Sequence, residues 1–178
     1  MDLEFDPQFV RIIMLNIALI SPEIPQNTGN IIRLCANTGV NLHLVKPLGF
    51  SLDNSSLRRA SLDYRDIANV ILYESIEAFL DVFDASEVYG AVSDGSVLYT
   101  DPTYHKNDTV LFGSESIGLS ADVVSELNPN KVVRIPMKPS NRSINLSNAV
   151  SVIVFEMWRQ LGFDGQNTVL SNEQDYFS

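Results

Sequence analysis

The 178-residue chain is poor in the residue types that build disulfides, metal sites and membrane spans. A single cysteine, Cys35, excludes an internal disulfide and any multi-cysteine metal site, and it fits a reducing compartment. With only His43 and His105 available as imidazole ligands, a zinc site is not expected. The longest apolar stretch, residues 12–20, is too short to span a bilayer and contains Asn16. We therefore expect a soluble, cytoplasmic protein that binds no metal and no membrane.

Several common catalytic motifs are also absent from the sequence. No Gly-x-Gly-x-x-Gly turn follows a predicted strand, and there is no Walker motif, no His-Glu-x-x-His and no Gly-x-Ser-x-Gly. Hydrolases and redox enzymes of the usual types are therefore disfavoured. The apolar content of 45% and the charged content of 19% are those of a folded domain. The length predicts one domain at 14–163, with an N-terminal extension at 1–13 and a C-terminal tail at 164–178.

Positive charge is scarce and unevenly distributed. The net charge is −10, yet nine of the twelve lysines and arginines lie in two segments, 33–65 and 131–142. The chain as a whole repels polyanions, but these segments can create a local positive field. Each segment adjoins a polar motif, at 27–33 and at 143–148, which suggests an anionic ligand held near a reacting centre. Chance clustering on a solvated surface is the alternative.

Short β-branched apolar runs alternate with helical patterns, which predicts an α/β fold with a largely parallel sheet. The predicted strands lie at 15–20, 42–45, 70–73, 88–92, 109–112 and 131–135. The predicted helices lie at 27–38, 55–60, 76–83, 120–126 and 146–161. Asn27 is the expected N-cap of the first helix, and Gly39 is its expected C-terminal stop. A polar excursion is expected at 93–108, and a loop at 136–145.

The last predicted helix is apolar on two sides. Its main apolar face holds Ala149, Val150, Ile153, Val154, Met157 and Leu161. A second strip carries Val152, Phe155 and Trp158. A helix with two apolar sides is buried on both of them, and in so small a protein the second partner is expected to be another subunit of a two-fold dimer. Deep burial within a single core is the alternative.

The first of three polar motifs is Asn27-Thr28-Gly29-Asn30-Ile31-Ile32-Arg33, which follows the first predicted strand. On a helical wheel Arg33 points away from the side that carries Cys35. The arginine then either extends into solvent beside a capped helix start, or faces a cleft where it holds a phosphate or assists a hydroxyl. Cys35, on the core side, is interpreted as a small buried hydrophobe.

The other two motifs follow later strands. In Leu111-Phe112-Gly113-Ser114-Glu115-Ser116-Ile117-Gly118-Leu119, a glycine at the strand end lets a ligand approach the backbone closely. Glu115 is predicted either to hydrogen-bond a ligand or to cap the helix that follows. The third motif, Ser140-Asn141-Arg142-Ser143-Ile144-Asn145-Leu146-Ser147-Asn148, has more hydroxyls and amides than one helix cap needs. The surplus indicates a polar pocket or a tightly hydrogen-bonded loop.

Together the three motifs resemble those of the SPOUT methyltransferases, specifically the SpoU-type RNA ribose 2′-O-methyltransferases. The likeness is greatest to the small single-domain enzymes that modify cytidine or uridine at the tRNA wobble position. The stretches 22–39 and 57–64 contribute to it, as do Phe112-Gly113-Ser114-Glu115, Arg134-Ile135-Pro136-Met137 and Asn145-Leu146-Ser147-Asn148-Ala149-Val150. The resemblance implies a deep trefoil knot near residues 109–150, bound S-adenosylmethionine, a tRNA substrate, and a homodimer whose subunits build the site together.

The resemblance also implies roles for particular residues. The cofactor contacts are expected at Val92, Gly113, Ile135 and Ser143, with many of them made by main-chain groups. Arg33 matches the arginine that activates the ribose 2′-hydroxyl. The residues that position substrate and arginine are expected to be Asn27, Glu115, Ser143 and Asn145.

Physical chemistry limits the role of this arginine. Because arginine is almost always protonated, Arg33 is expected to lower the pKa of the 2′-hydroxyl rather than to act as the base. No metal is required. The remaining alternatives are an enzyme of the same class acting on ribosomal RNA, a non-catalytic RNA-binding dimer, and a small-molecule α/β enzyme.

Overall fold

Seven parallel strands form the central sheet of the computed structural model, which describes residues 15–51 and 70–166. The strands are β1 (Asn16–Ile20), β2 (Asn41–Val45), β3 (Val70–Tyr73), β4 (Val88–Ala91), β5 (Val97–Leu98), β6 (Thr109–Phe112) and β7 (Val132–Arg134). Their order in the sheet is β3-β2-β1-β6-β4-β7-β5, and every neighbouring pair is parallel. The predicted α/β fold with a parallel sheet is therefore confirmed. The sequence does not predict β5, because two residues inside a polar excursion are too short a pattern.

Within the described residues, four α-helices accompany these strands: α1 (Pro25–Thr38), α2 (Ile76–Leu80), α3 (Ala121–Glu126) and α4 (Leu146–Gln160). Single 3₁₀ turns at Ala85–Glu87 and Pro129–Lys131 lead into β4 and β7. α2 is shorter than predicted, yet Phe83 beyond its end still stacks on Phe79, with 4.5 Å between ring centroids. The predicted extension at 1–13, the helix at 55–60, the stretch at 57–64 and the tail beyond residue 166 lie outside the described residues.

α1 begins earlier than the sequence predicts. Ile24 is its N-cap residue and Pro25 takes the first helical position, so the prediction of Asn27 as the N-cap is wrong. Proline is favoured at this position because its fixed φ suits a helix, and because the N–H that it lacks would have no partner in the first turn. At the other end Gly39 stops the helix with a φ of 71°, as predicted, and its N–H bonds the carbonyl of Cys35.

Helices cover both faces of the sheet. α1 and α4 pack together on one face, where Ile153 and Met157 are fully buried among strand side chains. Phe79 of α2 and Val123 of α3 cover the other face, around Leu111. Because both faces are covered, β2 and β6 are buried along their whole length. Truncating Ile153 or Met157 to alanine would cost about 2–5 kcal/mol of folding free energy.

The two apolar sides of α4 differ in their surroundings. Its main face is buried as predicted, while Val152 and Phe155 of the second strip remain 37% and 48% exposed. Trp158 is half-buried: its indole N–H donates to the carbonyl of Asp164 at 2.9 Å, and its ring meets Phe163 edge-on. The turn after α4 therefore covers Trp158, but this strip is not buried in a single core.

A buried polar cluster joins β1, β2 and β3. His43 Nε2 lies 3.2 Å from Asn16 Oδ1, and its Nδ1 lies 3.2 Å from the hydroxyl of Tyr73. Asn16 Nδ2 donates to the carbonyl of Asn107, and Oδ1 also accepts from Asn41 Nδ2. Because Asn16 Oδ1 only accepts, His43 carries its proton on Nε2, and its Nδ1 accepts from the Tyr73 hydroxyl. Burial lowers the pKa of His43 to about 4, so the ring is neutral at pH 7.

Candidate active site

The three polar motifs meet at one edge of the sheet. β1, β6, β4 and β7 are consecutive in the sheet order, and because all are parallel their carboxyl ends share this edge. A cavity of about 900 Å³ opens there. Its lining includes Asn27, Val92, Gly113, Glu115, Ile135, Ser143 and Asn145. The structure thus brings together all the predicted site residues except Arg33, in a space of the size typical of cofactor sites.

The four predicted cofactor-binding residues come from separate segments. Val92 follows β4, Gly113 follows β6 and Ile135 follows β7, while Ser143 lies in the loop before α4. Residues at three strand ends therefore form part of the cavity wall. Only Ser143 of the four carries a polar side chain. Such walls suit a group of nucleoside size, bound largely by shape.

Gly113 is required by the turn that follows it. A Cβ at this position would lie 1.8 Å from the carbonyl carbon of Gly118 and 2.1 Å from the nitrogen of Leu119. The Gly118 N–H donates to the carbonyl of Ser114 at 2.8 Å and closes the turn. The sequence predicts a glycine that makes room for a ligand. In the structure the space beside it is filled by the protein's own backbone.

Glu115 caps α1, a helix about ninety residues before it in the chain. Its Oε2 accepts from the N–H of Glu23 at 2.8 Å, and its Oε1 accepts from the N–H of Ile24 at 3.2 Å. Ile24 offers no side-chain cap of its own, so the carboxylate satisfies main-chain donors and places negative charge at the helix N-terminus. The predicted cap of the following helix is wrong, because Ser120 performs that role for α3.

Asn27 and Asn145 extend this contact across the molecule. Asn27 Nδ2 donates to Glu115 Oε1 at 2.9 Å, and Asn27 Oδ1 accepts from Asn145 Nδ2 at 3.0 Å. Asn145 Oδ1 in turn accepts from the N–H and the hydroxyl of Ser147, and so caps α4. The hydrogen-bonded chain Glu115–Asn27–Asn145 therefore joins all three motifs. Because Asn145 caps α4, this cap accounts for part of the surplus of hydroxyls and amides in the third motif.

Arg33 is not part of the hydrogen-bonded chain Glu115–Asn27–Asn145. It is exposed on α1 and does not contribute to the lining of the cavity. It lies six residues beyond Asn27, which is about 9 Å along a helix axis. In the described part of one subunit, the cavity that holds the other predicted site residues is therefore not a cleft that Arg33 lines. Cys35, two residues further along α1 and on its core side, is 2% exposed, and burial raises the pKa of its thiol to about 12. It is the buried hydrophobe that the sequence predicts.

Comparison with known proteins decides the family. Residues 14–155 match the SpoU rRNA Methylase family. The chain belongs to this family. A tRNA (cytidine(34)-2′-O)-methyltransferase of Burkholderia ambifaria is 48% identical over 154 residues, which are 85% of this chain and 99% of that protein.

Solved structures agree with this assignment. A structure concerned with 2-OH methylation of C/U34 on tRNA is similar with a TM-score of 0.76 at 39% identity, covering 84% of this chain and 91% of that one. The SpoU methyltransferase AviRb of Streptomyces viridochromogenes, in complex with the cofactor AdoMet, is similar with a TM-score of 0.73 at 25% identity. The match covers 85% of this chain and 59% of that one. The resemblance that the sequence motifs predict is thus confirmed as family membership.

This SpoU methylase has a second concave surface, lined in part by residues of the third motif. A recess of about 450 Å³ lies beside the cavity and is lined by Ser93, Asp94, Arg134, Met137, Lys138, Ser140, Asn141 and Ser143. The signal for it in the sequence is the basic segment at 131–142, two of whose cations line the recess.

Among the described residues no group of three or more histidine, cysteine or carboxylate side chains could hold a metal ion. None of the helices described is long and apolar enough to cross a membrane.

Proposed function

We propose that this SpoU methylase transfers a methyl group from S-adenosylmethionine to the ribose 2′-oxygen of the wobble nucleotide, cytidine or uridine 34, of tRNA. The observation that carries the proposal is the hydrogen-bonded chain Glu115–Asn27–Asn145 in the wall of a single cavity. It unites residues from three distant motifs around one space. The name of the Burkholderia ambifaria relative supports nucleotide 34 of tRNA as the substrate.

The cavity fits the proposed cofactor. It has the volume for a nucleoside with a short side chain, and its walls at Val92, Gly113 and Ile135 offer main-chain groups and apolar surface. When bound, S-adenosylmethionine would supply a methyl group on a positively charged sulfonium. The AviRb structure with AdoMet supports this choice of donor.

We propose a trefoil knot near residues 109–150 as the support of this cavity. The order of the strands favours it, because β7 lies between β4 and β5 although it follows both in the chain. The loop that leaves β7 then lines the cavity at Ile135 and Ser143.

The proposed chemistry needs the 2′-hydroxyl to become a nucleophile. Arg33 would donate hydrogen bonds to the 2′-oxygen, stabilise negative charge on it, and so lower the pKa of the hydroxyl. Because a guanidinium is a poor base, the proton is proposed to leave to a neighbouring phosphate of the RNA. Asn27, Glu115 and Asn145 would hold the substrate and the start of α1 in place, and the Ser143 hydroxyl would orient the ribose beside the cofactor.

We further propose that the active form is a two-fold dimer. Arg33 lies outside the cavity lining of its own subunit, while Val152 and Phe155 expose an apolar strip on α4. α1 packs directly against α4, so an interface along α4 would also bring α1 close to the partner subunit. In this arrangement each Arg33 completes the site of the other subunit. The two-fold symmetry makes the contact self-complementary, so a single strip supplies both halves of it.

The proposed domain spans residues 14–163, with 1–13 and 164–178 outside it, and the tRNA substrate implies a cytoplasmic location.

The test of the proposed function is methyl transfer from labelled S-adenosylmethionine to total tRNA from cells lacking the equivalent activity, followed by mass spectrometry of the nucleosides. A 2′-O-methylated pyrimidine at position 34 is expected. Methylation of ribosomal RNA alone would contradict the substrate, and failure to bind S-adenosylhomocysteine would contradict the reaction.

A matched variant separates catalysis from RNA binding. Arg33→Ala is expected to bind tRNA and S-adenosylhomocysteine as the unsubstituted protein does, while losing methyl transfer. If the unsubstituted protein binds tRNA but transfers no methyl group, the chain is instead a non-catalytic RNA-binding protein.

A further inference from the structure

The recess beside the cavity shares part of its wall with it. Ser93, Asp94, Met137 and Ser143 line both spaces. The recess itself is formed by the segment that follows β4 and by the loop between β7 and α4. A group bound in the recess therefore lies directly beside a group bound in the cavity.

Two cations of the recess have no acidic partner among the described residues. Arg134 and Lys138 both contribute to its lining, and neither forms an ion pair in the parts of the chain that the structure describes. The contrast is with Lys46, Lys106 and Arg159, which pair with Glu74, Asp164 and Glu156. An arginine and a lysine without partners on one concave surface leave their charge available to an external anion.

The other groups of the recess are suited to the same ligand. Ser140, Asn141 and Ser143 are exposed at its edge and add hydroxyl and amide donors to the two cations. Asp94 is the single acid among the described residues of the lining and is also exposed. The lining therefore carries more positive than negative charge, in a chain whose overall charge is −10.

We propose that this recess binds a backbone phosphate of the substrate RNA, next to the nucleotide whose ribose is methylated. The inference rests on the proposed function, because it takes the target ribose to enter the cavity. An RNA strand carries a phosphate on each side of every ribose, so a ribose in the cavity brings a phosphate toward the adjoining recess. Arg134 offers a planar fork for two phosphate oxygens, and Lys138 adds a compact charge. Asp94 opposes the phosphate and weakens its binding.

The first test removes one cation at a time. Arg134→Gln and Lys138→Gln are each expected to raise the KM for tRNA about tenfold. Each should reduce the slope of log affinity against log salt by about 0.7, the value for one phosphate contact on a single strand. The kcat at saturating tRNA and the Kd for S-adenosylhomocysteine should not change. The matched control is Lys106→Gln, which removes the same charge near the opposite edge of the sheet and should alter neither the KM nor the slope.

A second test identifies the phosphate. An anticodon stem-loop RNA with a neutral methylphosphonate beside nucleotide 34 should bind the unsubstituted protein about tenfold more weakly than the natural RNA. With Arg134→Gln the two RNAs should bind alike, because the contact is already lost. Asp94→Asn should lower the KM for tRNA, since it removes a charge of the same sign as the phosphate.

Other outcomes overturn the proposal. If Arg134→Gln weakens S-adenosylhomocysteine instead of tRNA, the recess holds the amino-acid end of the cofactor. If neither variant changes the KM or the salt slope, the recess binds no phosphate. Should the unsubstituted protein methylate no tRNA, the proposed function fails, and the stem-loop binding measurements still decide the recess.

Discussion

Asn145 donates its side-chain amide to Asn27 Oδ1 across 3.0 Å, and this one hydrogen bond joins the start of α4 to the first turn of α1. The same Asn27 donates to Glu115 Oε1 at 2.9 Å on its other side. Both partners use a defined end of the Asn27 amide, which fixes its orientation. The three motifs of the sequence therefore act as one hydrogen-bonded unit, and a change at its centre should affect both helices.

Asn27→Asp tests this unit without changing its shape. The substitution places a carboxylate oxygen where an amide N–H donated to Glu115, so two negative charges meet at a partly buried site. We expect a loss of about 2 kcal/mol in the free energy of unfolding, measured with urea, and a large fall in methyl transfer. Adding Glu115→Gln should restore only part of the stability, because the glutamine amide can donate to Asp at position 27 but cannot also accept from the Ile24 N–H. Equal stability of the single and double variants would contradict the hydrogen-bonded unit.

Gly113 and Gly118 form a matched pair for a second prediction. In Gly113→Ala the new methyl would lie 1.8 Å from a backbone carbon that cannot move aside. We expect a cost of more than about 3 kcal/mol and the loss of S-adenosylhomocysteine binding. Gly118 has a positive φ of 78° but nothing within 4 Å of its Cβ position, so Gly118→Ala should cost only about 1–2 kcal/mol. Similar unfolding free energies for the two variants would contradict the close approach of the two backbones.

The lowered pKa of the buried His43 ring predicts how the stability of the protein depends on pH. Burial lowers its pKa in the folded protein to about 4, below the 6.5 of the unfolded chain. Between these values the unfolded chain binds more protons, so stability falls as the pH falls from 6.5 toward 4. The shift amounts to at most about 3 kcal/mol. The measurement is urea unfolding from pH 7 to pH 4, comparing the unsubstituted protein with His43→Gln. The difference in unfolding free energy should shrink as the pH falls, and a constant difference would contradict the assignment.

The proposed dimer can be tested by mixing inactive variants. If Arg33 acts on the partner's cavity, a subunit with Arg33→Ala and a subunit with Glu115→Ala together build one complete site in each mixed dimer. Random mixing of subunits should then restore about a quarter of the full methyl transfer. No recovery would mean that Arg33 serves its own subunit. As a control, Phe155→Glu is added to both inactive variants, where it places a charge on the exposed strip. These subunits should fold but remain monomers, so mixing them should restore no methyl transfer.

Much of the fold follows from patterns within short segments. The runs of β-branched residues predict six of the seven strands and their parallel arrangement, because strands covered on both faces are apolar throughout. Gly39 predicts the end of α1, because its left-handed conformation favours glycine. The start of α1 follows less directly from local sequence than its end does. Asn27 has the chemistry of a cap, but its amide bonds residues that are about 90 and 118 positions away.

The site shows the same division between local and distant information. The motifs identify which residues line the cavity, since all of them follow strands that end at one edge. The capping of α1 by Glu115 could not be predicted, because it depends on how two distant loops meet in space. The helical pattern does place Arg33 on the side of α1 away from the core, but it does not show which residues of the folded protein lie near its guanidinium.

The most direct test of the account uses two tRNA substrates that differ by one oxygen atom. One carries an ordinary ribose at nucleotide 34, and the other carries a 2′-deoxyribose there. Both are incubated with the protein and labelled S-adenosylmethionine at saturating concentration. Methylation of the wobble ribose predicts label in the first tRNA and none in the second. Label in both would place the methyl group elsewhere in the RNA, and would contradict methylation of the wobble ribose.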